Sequence, residues 1–189
     1  EQASEIVDFL RPDFDEEEGE DEPANGYPVN EKSEPVFFSA AATWEIAKTD
    51  GERLFWLLDQ KEKIGGQYVR EALKRKADLL SGWFSVRTLA AQGWWGRANS
   101  DDAKSKAGIA AVHTLSDDET VAKLASGPKR FTLPEGQSFL RIYQRLADDD
   151  KVPADDRVKA WTRIAHELQD RRLYGRAADG FRKAIALNE

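Results

Sequence analysis

The chain has 189 residues, of which 40% are apolar and 33% charged, with no cysteine and a formal net charge of −7. That length and apolar share suit one domain, or two small ones, with a sizeable core. The lack of Cys excludes disulfides, thiolate metal sites and cysteine nucleophiles, and no run approaches the roughly 20 apolar residues that span a bilayer.

The charge is split along the chain. Residues 1–35 carry 13 acids against Arg11 and Lys32, a net of −11, whereas the remaining body is mildly basic at +4. Residues 11–35 add four Pro and two Gly to the acidic run, so this segment reads as an extended or disordered arm. Ile6, Val7, Phe9 and Leu10 form one short apolar patch before it. Phe9, and Phe14 inside the acidic run, are candidate partner contacts. The run does not fit a helix–loop–helix calcium loop: counted from Asp13, Gly stands at the seventh place and Ala24 where the bidentate Glu belongs. The start at Glu1 without Met fits a mature chain after signal removal as well as a fragment, and the expected location is secreted or periplasmic, with cytoplasmic as the alternative.

From Val36 the pattern becomes helical. Phe38, Ala41, Ala42 and Ile46 predict a first helix, and Leu54, Phe55, Leu57 and Leu58 a second, opened by Thr49-Asp50 and ended near Gly65-Gly66. A third is predicted from about Gln67 to Ala91, along Val69, Leu73, Ala77, Leu80, Phe84 and Leu89. Lys61, Lys63, Arg70, Lys74, Arg75 and Lys76 make a basic stretch around it, read as an exposed helix face in preference to a dock for the acidic arm. Gly93-Trp94-Trp95-Gly96 ends the helix, residues 97–106 are polar and loop-like, and the loop is taken to run over 97–115. Ser116-Asp117-Asp118-Glu119 has capping-box form and predicts a helix through Val121, Leu124 and Ala125, stopped by Ser126-Gly127-Pro128. Phe131–Pro134 is extended, and Phe139, Ile142, Tyr143 and Leu146 mark another helix. No hairpin of strands is expected.

Residues 158–189 place Trp161, Ile164, Ala165 and Leu168 on one helical face. After a break at Arg171-Arg172, Tyr174, Ala177, Ala178, Phe181, Ala184 and Ile185 follow on a second helix. Small residues at 165, 177 and 184 let two helices approach, while Trp161, Tyr174 and Phe181 fill the space beside them. This pattern resembles the tetratricopeptide repeat, departing from it where a Pro usually follows the second helix. Residues 139–149 resemble the second helix of a preceding repeat. More broadly, His113–Thr120, Lys129–Pro134 and Phe139–Tyr143 are similar to a helical region of large bacterial extracellular proteins of the alpha-2-macroglobulin-like group. The thioester chemistry of that group needs a Cys and is not implied.

The expected architecture is therefore all-α: helical hairpins stacked as a short repeat solenoid, with an acidic arm at 1–35, helical regions at 36–96 and 116–189, and a loop between. The resemblance to the repeat family implies a non-enzymatic scaffold for protein–protein interaction, in which Arg163, His166 and Glu167 line the binding groove. A protein partner, or further sequence of the same assembly, would pack on the C-terminal repeat, as a homo- or hetero-oligomer. His113 and His166 have no metal-ligand spacing around them, so no metal or cofactor is expected. A pI near 5 argues against nucleic acid. The alternative is a carbohydrate-binding or carbohydrate-active helical segment using Trp94 and Trp95.

Overall fold

Thr49 opens helix α1 (Asp50–Ile64) with a reciprocal cap. Its hydroxyl accepts from the Glu52 amide, and the Glu52 carboxylate accepts from the Thr49 amide. The computed structural model describes residues 26–92, 109 and 111–188. After Gly65-Gly66 the chain turns into α2 (Gln67–Phe84). The helical spacing carries on to Leu89, but the helix stops at Phe84. Ser85 adopts φ −61°, ψ 144°, and Val86–Gln92 is a 3-10 segment. Here a tertiary bond overrides local periodicity: the Ser85 hydroxyl donates to Glu167 at 2.6 Å and accepts from the Arg87 amide at 3.1 Å.

The helix predicted before α1 does not form; residues 36–48 are irregular. Phe37 and Phe38 both pack against the core. The Phe38 ring lies so close to α1 that a Cβ on Gly51 would stand 2.5 Å from it, and the Phe38 carbonyl accepts from the Gln137 side-chain Nε2 at 2.9 Å. In a helix the Phe38 carbonyl would point along the axis to the amide four residues on, and so away from Gln137.

Residues 119–132 are the main correction to the all-α expectation. They form an antiparallel hairpin, β1 (Glu119–Leu124) and β2 (Gly127–Thr132), in register from Glu119 opposite Thr132 to Leu124 opposite Gly127. The Ser116–Glu119 box is half used: the Glu119 carboxylate accepts from the Ser116 amide at 3.0 Å, but the Glu119 amide bonds the Ser116 carbonyl and closes a turn. The physical reason for a strand is that β1 is covered on both faces. Val121 packs with Val86, Leu89, Val112 and Leu115, whereas Ala122 and Leu124 belong to the main core. The buried Thr120 hydroxyl donates to the carbonyl of Phe84. A single apolar helical stripe could not serve two clusters. Gly127, at φ +109°, supplies the positive-φ position that a short hairpin loop needs. Tyr27 bridges the free edge of β1 beside Leu124, and its ring sits 4.5 Å from that of Phe84. The last residues of the predicted arm thus reach into the core, where burial raises the Tyr27 phenol pKa.

The C-terminal helices follow the sequence closely. Ser138 caps α3 (Phe139–Asp148), and α4 (Ala154–Asp170) and α5 (Tyr174–Ala186) are joined by a three-residue turn. Gly180 lets α5 close on α4: a Cβ there would stand 3.1 Å from that of Ala165. Each helix packs on the next in sequence, and one apolar core runs from Phe55 of α1 to Ala184 of α5. The described residues are thus mostly helical, with one small two-stranded sheet. No helix among them is long and apolar enough to cross a membrane.

Glu167 and Arg171 form an ion pair of 2.8 Å at the junction of these elements, their side chains only 6% and 1% exposed. Glu167 also accepts from Ser85 after α2, and Arg171 donates to the Ser116 carbonyl before β1 at 2.9 Å and lies over the Phe139 ring of α3. Removing one partner strands a buried charge. Glu167→Ala should cost about 3–5 kcal/mol in urea unfolding, and the double replacement Glu167→Met/Arg171→Met clearly less than the sum of its singles. A single-variant cost below about 1 kcal/mol would show that the pair does not hold the junction.

The hairpin carries an acid-sensitive contact. Hydrogen bonds from Arg130, then from the Ser116 amide, hold the Glu119 carboxyl below its ordinary value of 4.5. A carboxyl depressed in the folded state stabilises fully above its unfolded pKa, and that contribution is lost as pH falls through the folded one. Glu119→Gln should therefore be less stable than the parent at neutral pH, with the gap closing in thermal melts between about pH 5 and pH 3.

Candidate functional site

Helices α2, α3 and α4 enclose a cavity of about 130 Å³. Tyr143, Leu146 and Ala160 form its buried floor, each no more than 5% exposed. Its rim is charged. Arg70 and Lys74 come from successive turns of α2, and Asp156, Lys159 and Arg163 from successive turns of α4, the i, i+3, i+7 spacing that sets side chains on one helix face. Arg70 pairs with Asp156 at 3.2 Å, Lys74 with Asp78 at 2.7 Å and Lys159 with Asp156 at 3.9 Å. Arg163 is exposed and has no ion-pair partner among the described residues.

A second depression, of about 370 Å³, adjoins the first and shares Arg70 and Leu146 with it. It runs over the start of α2 to the α3–α4 loop and adds Arg145, Asp149 and Lys151. Together the two form one groove lined by six cations and three carboxylates, a net of +3. Cationic heads above an apolar floor of ring and methyl groups suit an extended chain that carries carboxylates and at least one apolar side chain.

Tyr143 joins floor and rim. Its hydroxyl donates to Asp78 at 2.6 Å, and its phenol pKa is raised first by burial and then by the neighbouring Asp78 charge. Asp78 is thus held from two sides, by Tyr143 and Lys74, which fixes the cavity wall.

Of the residues that the sequence singles out, the structure brings only Arg163 to this groove. His166 is exposed one turn beyond Arg163 and does not line the groove; its ring is edge-on to Phe181 of α5 at 5.2 Å. Glu167 is not a groove residue: it is buried in the junction with Arg171 and Ser85. Phe9, Phe14, Trp94 and Trp95 lie outside the described residues. Arg70 and Lys74 belong to the basic stretch already noted, but their partners across the groove, Asp156, Lys159 and Tyr143, were not identified as site residues. The i, i+4 pairs on α2 and the run Asp156, Lys159, Arg163 were the legible signal.

Tyr174 also departs from its expected packing role, at 64% exposure. With Ala178, Phe181 and Ile185 it makes an outward apolar stripe on α5, beside the inward stripe of Ala177, Gly180 and Ala184. Among the described residues, no group of three or more His, Asp or Glu is placed to hold a metal ion.

Replacing Tyr143 by Phe removes one of the two bonds to Asp78 and leaves the floor's shape intact. The bond is charge-assisted but Asp78 is partly solvated, so a loss of about 1 kcal/mol is expected in chemical denaturation. No loss would mean that Lys74 alone positions Asp78.

No known family model matches this sequence, and neither a curated protein nor a solved structure shows significant similarity to it.

Proposed function

We propose that the protein is a non-enzymatic helical-repeat scaffold that binds a protein partner through an extended acidic segment laid in the groove between α2, α3 and α4. The observation that carries this reading is the groove's construction: an apolar floor at Tyr143, Leu146 and Ala160 beneath a rim of net positive charge. The successive packing of each helix on the next, and the α4–α5 hairpin with its small residues at Ala165, Ala177 and Gly180, support the repeat-like character. Complementary charge would steer and register such a segment, while a side chain in the cavity would supply most of the affinity.

The test is fluorescence anisotropy with a labelled acidic decapeptide containing one aromatic residue. Lys159→Glu/Arg163→Glu alters two rim residues and leaves the floor untouched. It should weaken binding about tenfold, which is about 1.4 kcal/mol, and 0.5 M salt should weaken the parent in the same direction. A basic peptide of equal length should not bind. Acidic-peptide binding that ignores both charge reversal and salt would defeat this reading.

A further inference from the structure

The groove has a ligand of matching chemistry within its own chain. Between Asp13 and Glu22 stand eight carboxylates and one aromatic residue, Phe14, flanked by Asp13 and Asp15. This stretch supplies most of the −11 charge of the first 35 residues, while the body that carries the groove is at +4. The cavity's volume of about 130 Å³ is that of a one-ring site; an apolar cavity of about 150 Å³ admits benzene. Its floor is apolar and its rim cationic, so it matches a phenyl group with a carboxylate on either side.

Reach permits the contact. The described chain begins at Gly26-Tyr27, pinned where the Tyr27 amide donates to the Lys123 carbonyl and the Tyr27 ring packs on Trp83 and Phe84 at the end of α2. Arg70 lies fourteen residues back along α2 from Phe84, about 21 Å at 1.5 Å per residue. The twelve residues from Gly26 to Phe14 span up to about 40 Å when extended. The tether therefore exceeds the axial distance about twofold, leaving slack for the path across the surface.

We propose that the segment Asp13–Glu22 occupies this groove in cis, with Phe14 in the cavity over Tyr143, Leu146 and Ala160 and its neighbouring carboxylates on Arg70, Lys159 and Arg163. The segment is then a tethered competitor that an incoming acidic partner must displace. This proposal rests on the groove reading above and adds the source of the ligand.

The experiment compares three full-length proteins: the parent, an arm variant Phe14→Ala/Glu16→Gln/Glu17→Gln/Glu18→Gln, and the same arm variant with Arg163→Glu added. The probe is a labelled synthetic peptide of residues 11–24, titrated in trans. A short tether gives an effective concentration of about 1 mM, so an arm of about 0.1 mM intrinsic Kd masks the groove about tenfold. The arm variant should bind the probe about tenfold more tightly than the parent, and Arg163→Glu should remove that gain. Equal affinity in parent and arm variant would overturn the arm as occupant while leaving the groove reading in place. No binding to either protein, or binding indifferent to Arg163→Glu, would defeat the groove reading itself. Light scattering on the same samples separates the routes. A monomer at every concentration supports occupancy in cis, whereas a parent dimer that dissociates in the arm variant would overturn it in favour of a second copy.

Discussion

Burying an arginine costs several kcal/mol unless a carboxylate and further acceptors are buried with it, and Arg171 is the least exposed charged side chain in the core. Its carboxylate, Glu167, sits one turn back in the last turn of α4, so helix geometry brings the two side chains together. What the pair then needs determines much else. Glu167 takes the Ser85 hydroxyl, which requires α2 to end at Phe84 and not run on. Arg171 takes the Ser116 carbonyl, which brings the segment before β1 against the α4–α5 turn, and it lies over the Phe139 ring at the start of α3. Four elements distant in sequence meet at one ion pair. One Arg171 nitrogen, Nη2, is buried with no hydrogen-bond partner among the described residues. The site therefore stays more polar than an apolar junction would be, a trait that favours one geometry over alternatives of similar packing energy.

The placement of the groove follows from this junction. The pair anchors the C-terminal end of α4 to the C-terminal end of α2. At the other ends of the two helices Arg70 reaches Asp156 across the cavity at 3.2 Å. The strand β1 fills the other side of the α2 terminus, with Thr120 bonded to the Phe84 carbonyl and the Tyr27 ring edge-on to that of Phe84. An aromatic cluster of Tyr27, Trp83 and Phe84 packs that end of α2, and the groove lies toward the starts of α2 and α4. The ion-pair junction and the groove lie at opposite ends of the same pair of helices.

The sequence made the local features legible. Thr49-Asp50 announced α1, and the spacing of Trp161, Ile164, Ala165 and Leu168 against Ala177 and Ala184 announced the last hairpin, because helix starts and apolar stripes are written within one or two helical turns. What escaped depended on contacts between distant residues. Thr-Val-Ala-Lys-Leu suits a helix as readily as a strand by spacing. Only the existence of two separate apolar clusters, one on either side, decides for the strand. Glu167 looked like a surface residue because charged side chains usually are, and nothing local identifies Ser85, 82 residues away, as its partner. Half the groove was visible in the same sense: the cations of α2 stood out as a stretch, but their division between groove and outer face needed the position of α4.

The balance of charge in the groove bears on the kind of ligand it suits. Its six cations are opposed by three carboxylates, and Arg70, Lys74 and Lys159 each already have an aspartate partner. A ligand carboxylate therefore exchanges one ion pair for another at these positions. Partly solvated pairs of this kind are each worth only about 0–1 kcal/mol. Among the described residues the groove cations without an ion pair are Arg145, Lys151 and Arg163, so free attraction is left there and in the net field, which is screened within about 8 Å at physiological salt. Affinity must then come from filling the cavity, where one aromatic side chain contributes about 1.5–3 kcal/mol. Such a sum supports weak, quickly exchanging binding in trans. A covalent tether supplies what the contacts lack, since linkage raises the effective concentration without any new contact. A groove half neutralised by its own aspartates thus suits a ligand carried on the same chain, held firmly enough to occupy it and loosely enough to be exchanged.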